Sequence, residues 1–463
     1  MNPKNKLLIK DTIVFGLGSF GSKVIMFLLV PLYTNYMTTG EYGTADLITV
    51  LSSMAVTLFT MDIHCALLRF SLSKDENQKN VARTALMVCV VGSVVVLFLS
   101  PLAQLYPDFS KYNIYIPVLC VLYIFRSCGL DYLKVADKNR ILSLMGVVES
   151  AILAVTNIIL IRFLHLGADG YMIANIAAYG ICTLLSLIIS GFVKDAISGV
   201  LDSDLTKRML VFSLPLLFNG LIWWVNTTAG KVILPGMMGA SALGIYTAAS
   251  KIPTLINLVI GVFHQSWGLS SIREIEGDKD ISFFSNVFVW YSMSVTGAGI
   301  ALICLVKPFV TVFMGADFHD AWMYAPLLLV GAIFYSIGTY YEALYIAMKK
   351  TLNSLFTSGT GAIFNVVLSL ILTNYIGVWG VVIGYCVGFF VLSILRFVDM
   401  NRILHLTFSK TRYLVGVGAM IAAALSVSLQ FYEVVFCVGA IVIYLLLYGK
   451  EWFILARRII RKG

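Results

Sequence analysis

Three basic residues stand where a lipid-spanning chain can least carry charge: Lys23, Arg126 and Lys251. Each falls roughly nine to eleven residues inside an apolar run, about 14–16 Å from the nearer end at the rise of an α-helix. A lysine stem reaches only about 6 Å, so snorkelling cannot bring the Lys23 ammonium to an interface. A charge at the bilayer centre costs about 3 kcal/mol or more unless it meets water or a partner. Cations kept there imply an anion site. A guanidinium grips phosphate oxygens with two parallel hydrogen bonds, and an ammonium adds a compact charge. The competing reading is a structural ion pair. For Arg126 the acids in reach are Asp131, five residues away and off its helical face, and Glu149 on the following run.

Asp131 and Glu342 each lie close before a basic turn, the first through Lys138 and Arg140, the second at Lys349 and Lys350. With Arg69 they form a candidate gate; the alternative is a set of counter-ions with no transport role. Asp62, His64 and Arg69 otherwise read as interface residues at the inner end of the second run. Tyr335, Tyr340, Tyr341, Tyr345, Trp223 and Trp224 have faces that stack on sugars, although packing or an interfacial belt accounts for them better. Asn157, Asn175, Asn219, Asn226 and Asn365 are expected to form interhelical hydrogen-bond pairs. His264 and His319 have no ligand spacing to other His, Cys or acidic residues, so neither metal nor cofactor is expected. No Ser/His/Asp constellation appears, so the chain is not expected to be an enzyme. The eight cysteines sit in or beside apolar runs, with no C-x-x-C pair, and are read as reduced apolar residues.

The elements that must position these residues follow from composition. Of 463 residues 59% are apolar and only 12% charged, about half the usual charged fraction, and the mean hydropathy is +0.90. That excludes a soluble enzyme, a disordered chain and a disulfide scaffold. The continuous apolar runs also disfavour an outer-membrane barrel. Fourteen runs of spanning length occur, near 12–34, 44–66, 84–102, 113–135, 142–161, 169–192, 208–230, 241–266, 283–305, 324–347, 353–373, 378–398, 413–430 and 434–449. The first, preceded by Lys4, Lys6 and Lys10, is too long for a signal-peptide core and is taken as a retained helix. With the N-terminus in the cytoplasm, 26 of the 33 Lys and Arg fall in cytoplasmic segments, including Arg396, and four in outer segments. Both termini are then cytoplasmic. The net charge of +9 belongs to those loops, and no nucleic-acid partner is expected.

A repeat runs through the chain. Val14-Phe15-Gly16-Leu17 answers to Val211-Phe212-Ser213-Leu214, and Gly43 to Gly244. Asp131 and Ala136 answer to Glu342 and Ala347. Asn157 and Leu166-Gly167-x-x-Gly170 answer to Asn365 and Ile376-Gly377-x-x-Gly380. The expected fold is an all-α polytopic membrane protein of about 14 helices. Two six-helix lobes, 1–200 and 201–405, are related by a parallel pseudo-two-fold axis, and 406–463 adds two helices and a basic tail.

The stretches Pro31-Leu32-Tyr33, Glu41-Tyr42-Gly43, Ala66-Leu67-Leu68-Arg69-Phe70 and Leu243-Gly244-Ile245-Tyr246-Thr247-Ala248-Ala249-Ser250-Lys251-Ile252, with the paired glycine motifs, resemble the oligosaccharide-lipid flippases of the polysaccharide exporter family. This family lies within the wider multidrug and oligosaccharidyl-lipid exporter superfamily. The resemblance covers nearly the whole chain. One departure is Gly230, where the family often has an acid before the basic residue, here Lys231. The resemblance implies movement of a lipid-pyrophosphate-linked oligosaccharide, of the polyprenyl diphosphate type, from inner to outer leaflet of the bacterial cytoplasmic membrane. Lys23, Arg126 and Lys251 would bind it, with membrane lipid as surroundings and a monovalent cation as a candidate coupling partner. The alternatives are a cation-coupled multidrug antiporter, which would favour a buried acid in the first or seventh helix, and a polytopic enzyme of polysaccharide assembly.

Overall fold

The computed structural model describes residues 21–460 apart from 74, 106, 278 and 279. The basic segment through Lys10, the repeat at Val14–Leu17 and the first part of the 12–34 run lie outside the described residues. Among those described, every regular element is helical, and twelve helices are long and apolar enough to cross a membrane. This follows from the solvent: lipid offers no partner to an open backbone group, so each segment must satisfy its own. The protein is a multi-pass membrane protein.

The helices differ from the apolar runs in two places. The 44–66 run falls on Thr39–Ser53, Ala55–Thr60 and Ile63–Ser71, and the break before Ile63 comes where Met61 and Asp62 both adopt left-handed backbone, at φ 52° and 53°. The Thr38 side chain starts this span by accepting from the Glu41 N–H, and Glu41 returns a bond to the Thr38 N–H, which caps both ends of the first turn. The runs 208–230 and 241–266 fall on a 49-residue helix, Ser203–Lys251, interrupted at Gly239 (φ 82°), and on Thr254–Glu276.

The chain divides into two compact units, residues 1–224 and 225–463. In the first, Tyr115–Val135 packs on Gly167–Ser190, with Asn139–Asn157 continuing as a π-helical turn, Ile158–Phe163. In the second, Val378–Leu404 packs on both Ala321–Ala347 and Thr351–Ile376. The Ala321–Ala347 helix is the centre of its unit: Tyr340, Tyr341 and Tyr345 are wholly buried. Tyr340 stacks on Trp267 at 4.9 Å and donates to the Phe284 carbonyl at 2.8 Å.

Candidate functional site

A cavity of about 570 Å³ opens in the first unit, walled by one face of each of four helical segments. Arg126, Ser127, Leu130, Asp131 and Lys134 line it from the Tyr115–Val135 helix, as a broad stripe with Arg126 at one edge and Asp131 at the other, about 140° apart at 100° per residue. That stripe extends about 12 Å. Leu142, Ser143, Met145, Gly146 and Glu149 line it from Asn139–Asn157. At Gly146 an added Cβ would meet nothing within 4 Å. His64, Cys65 and Leu68 come from Ile63–Ser71, and Ser22 and Lys23 from the helix at 21–28. The break at Met61–Asp62 has a local support: the Thr57 hydroxyl donates to Asp62 at 3.0 Å.

The wall carries three basic side chains, Lys23, Arg126 and Lys134, against two acids, Asp131 and Glu149. Arg126 donates from Nε and Nη2 to the two oxygens of Glu149, both at 2.7 Å, and its guanidinium lies 5.5 Å from the Tyr179 ring centroid. Lys134 donates to Asp131 at 2.6 Å. Lys23 is exposed to the cavity. The structure thus brings together three of the residues singled out by sequence, Lys23, Arg126 and Asp131. Glu149, read from sequence as an acid in reach of Arg126, and His64, read as an interface residue, join them on the wall, and Lys134 is added; that these line one cavity was readable only once the helices were packed.

The other candidates lie elsewhere. Arg69 is exposed near the end of Ile63–Ser71. Lys251, half-buried in the second unit, is the last residue of Ser203–Lys251 and not an interior helical residue, because Ile252 and Pro253 break the backbone there. A lysine suits a helix C-terminus, where unbonded carbonyls present negative charge. Glu342 is in the second unit beside Arg396, at 3.5 Å.

Arg396 corrects the charge count. It is no loop residue: it is wholly buried in the Val378–Leu404 helix. Its Nη1 donates to the Gly338 carbonyl at 2.7 Å, Nη2 to the Ser358 and Ser354 hydroxyls at 2.8 and 3.1 Å, and Nε to Thr357 at 3.2 Å. It stands two residues before the end of the 378–398 run, beside Asp399 and Arg402, so the charge count groups it with the segment that follows.

The repeat can be registered from the backbone. The turn after Tyr115–Val135 has bonds from the N–H of Ala136, Asp137 and Lys138 to the carbonyls of Tyr132, Lys134 and Leu133. The turn after Ala321–Ala347 has the same bonds from Met348, Lys349 and Lys350 to Leu344, Ile346 and Tyr345. Both have a left-handed residue, Asp137 and Lys349, and both are Schellman motifs. The spacing is therefore 212, which sets Glu342 opposite Leu130, not Asp131, and Asn365 opposite Leu153, not Asn157. At this spacing Gly338, Glu342, Ser354, Thr357 and Ser358 correspond to Arg126, Leu130, Leu142, Met145 and Gly146. All five of the latter line the cavity. The second unit fills with Arg396 the slot that the first leaves open. Counting from Gly167 and Gly377, which both have positive φ, Arg396 corresponds to Ser186.

The buried asparagines also divide. Asn226 donates to the Ser358 carbonyl and Asn365 to that of Asn226, joining helices. Asn157 and Asn175 donate instead to carbonyls four residues back in their own helices.

Residues 8–267 match the family model described as polysaccharide biosynthesis protein. No curated protein matches the chain. Among solved structures it is similar to one described as lipid II flippase MurJ in an inward closed conformation. The identity is 14% and the TM-score 0.70, with 96% of this chain and 100% of that one covered. It is similar also to a multidrug resistance MATE family transporter of the MOP superfamily. The inward-facing form has 16% identity and a TM-score of 0.64, over 88% of this chain and 95% of that one. The outward-facing form has 17% and 0.59, over 86% and 96%. At these identities the likeness is one of fold.

Proposed function

The chain belongs to the polysaccharide biosynthesis protein family and carries the flippase and transporter fold of the MOP superfamily, and from that premise we propose that it moves a lipid-pyrophosphate-linked oligosaccharide across the bacterial cytoplasmic membrane. The observation that carries this reading is the cavity of the first unit, where Lys23, Arg126 and Lys134 outnumber two acids. A diphosphate headgroup bears about two negative charges near neutrality and is best held by more than one cation. Low polarity around the wall strengthens each of these contacts relative to water. Lys251 is proposed as a further cation for the same substrate, and Asp131, Glu342 and Arg69 as charges that change partner during transport.

A cation-coupled multidrug antiporter is the second reading, favoured by the likeness to the MATE transporters and by the acids Asp131 and Glu149 in the cavity wall. Both acids already hold a cation from their own unit, which weakens it.

Lys23→Ala is expected to abolish glycan export at normal protein level and membrane insertion, and Lys23→Arg to retain part of it. Export is scored by surface glycan in a strain carrying only the variant. Wild-type export by Lys23→Ala would overturn the anion-site reading, and extrusion of cationic dyes without glycan export would favour the antiporter.

A further inference from the structure

We propose that Glu149 is a tethered competitor for the phosphate site on Arg126, so that substrate enters by displacing a carboxylate from the guanidinium. This deepens the function proposed above and rests on it. A carboxylate and a phosphate present the same feature to arginine: two oxygens spaced to accept two parallel N–H donors. Glu149 takes that edge of Arg126 with both bonds at 2.7 Å. The pair lies in the cavity wall, within reach of any headgroup that enters.

The second unit supplies the contrast. There the arginine of the corresponding slot is bonded to three hydroxyls and a backbone carbonyl, and its carboxylate contact, to Glu342, is long at 3.5 Å. Acceptors that are neutral and built into helices cannot be exchanged for a phosphate without opening the bundle. Arg396 is therefore a fixed strut. Arg126 is held chiefly by one carboxylate on a rotatable side chain, with Tyr179 against its face. Its partner can be exchanged while the helices stay where they are.

Exchange has a use in transport. An open arginine would hold a diphosphate too tightly to release it. A tethered carboxylate competes at an effective concentration in the millimolar range or above, and returns to Arg126 as the headgroup leaves. Glu149 therefore lowers affinity and speeds release.

The test uses the purified full-length chain in lipid nanodiscs. The probes are farnesyl diphosphate and, as a head-only arm, inorganic diphosphate. Glu149→Gln is expected to tighten both about tenfold or more and to slow transport. Asp131→Asn removes one negative charge from the same cavity without touching Arg126, and is expected to tighten binding much less. Glu149→Asp, which keeps the charge but shortens the reach, should fall between wild type and Glu149→Gln. Equal tightening in Glu149→Gln and Asp131→Asn would reduce Glu149 to a background charge and overturn the inference. So would unchanged or weakened binding in a folded Glu149→Gln, or in Glu149→Asp should the first variant not fold. These results leave the flippase reading standing if wild type binds farnesyl diphosphate and Lys23→Ala does not. Failure of wild type to bind either probe would remove that reading first, and this inference with it.

Discussion

At the scale of single residues, the same side chain costs or contributes according to how completely its neighbours answer it. Arg396 is wholly buried, yet each of its three nitrogens has an acceptor. Breaking such a cluster by removing one partner costs about 3–5 kcal/mol, since the groups left behind stay buried and unanswered. Arg396→Ala should therefore lower the thermal midpoint in detergent sharply. Arg396→Lys should recover little, because an ammonium cannot reproduce the fork. Gly230 shows the opposite case. A Cβ there would lie 2.7 Å from the Tyr246 hydroxyl and 2.9 Å from its ring, so the acid often found at this place in the family has no room. Gly230→Ala should destabilise by about 1–3 kcal/mol through overpacking. Tyr246→Phe, which removes the nearest atom, should restore part of that loss in the double variant, as read by the same melting assay.

At the scale of elements, turns carry the register of the repeat more faithfully than helices do. A helix presents similar faces after shifts of three or four residues, so apolar matching tolerates a slip. A Schellman turn with one left-handed residue does not, and Asp137 and Lys349 fix the spacing. Neither is glycine, and left-handed backbone costs an ordinary residue about 1–2 kcal/mol. Lys349→Gly should relieve that strain, less the added freedom of glycine in the unfolded chain, for a net gain of about 0.5–1 kcal/mol. Lys349→Val should lose stability, because a β-branched residue tolerates left-handed backbone worst. Chemical denaturation of the purified protein distinguishes the two signs. The break at Met61–Asp62 is a second such device: it ends one helical segment and starts the next, whose face carries His64 and Cys65 to the cavity.

For the whole molecule, orientation rests on the distribution of Lys and Arg, and the bias survives the transfer of Arg396 from loop to span. We propose cytoplasmic termini. In a variant free of the eight native cysteines, Gln104→Cys and Lys207→Cys, both at exposed positions, should then react with a membrane-impermeant maleimide from opposite faces: the first in intact cells, the second only after permeabilisation. Labelling of both in intact cells would overturn the orientation.

What the sequence determined by itself was whatever the bilayer alone dictates. Continuous apolar runs had to be helices, since lipid leaves no other way to satisfy the backbone. Mid-span cations such as Lys23 and Arg126 had to meet something, since lipid leaves them nowhere to go. The pairing of Glu149 with Arg126 was legible as the favoured structural reading, because helical spacing sets Asp131 off the face of Arg126 and leaves Glu149 or an acid on another helix. Tertiary structure decided the rest. It put Lys134, His64 and Gly146 on one cavity wall, and closed the matching slot of the second unit with Arg396. Its physical reason is that a charge at the edge of an apolar run looks the same in sequence whether the next helix offers it water or a ring of hydroxyls. Ser354, Thr357 and Ser358 become that ring only when Thr351–Ile376 packs against Val378–Leu404.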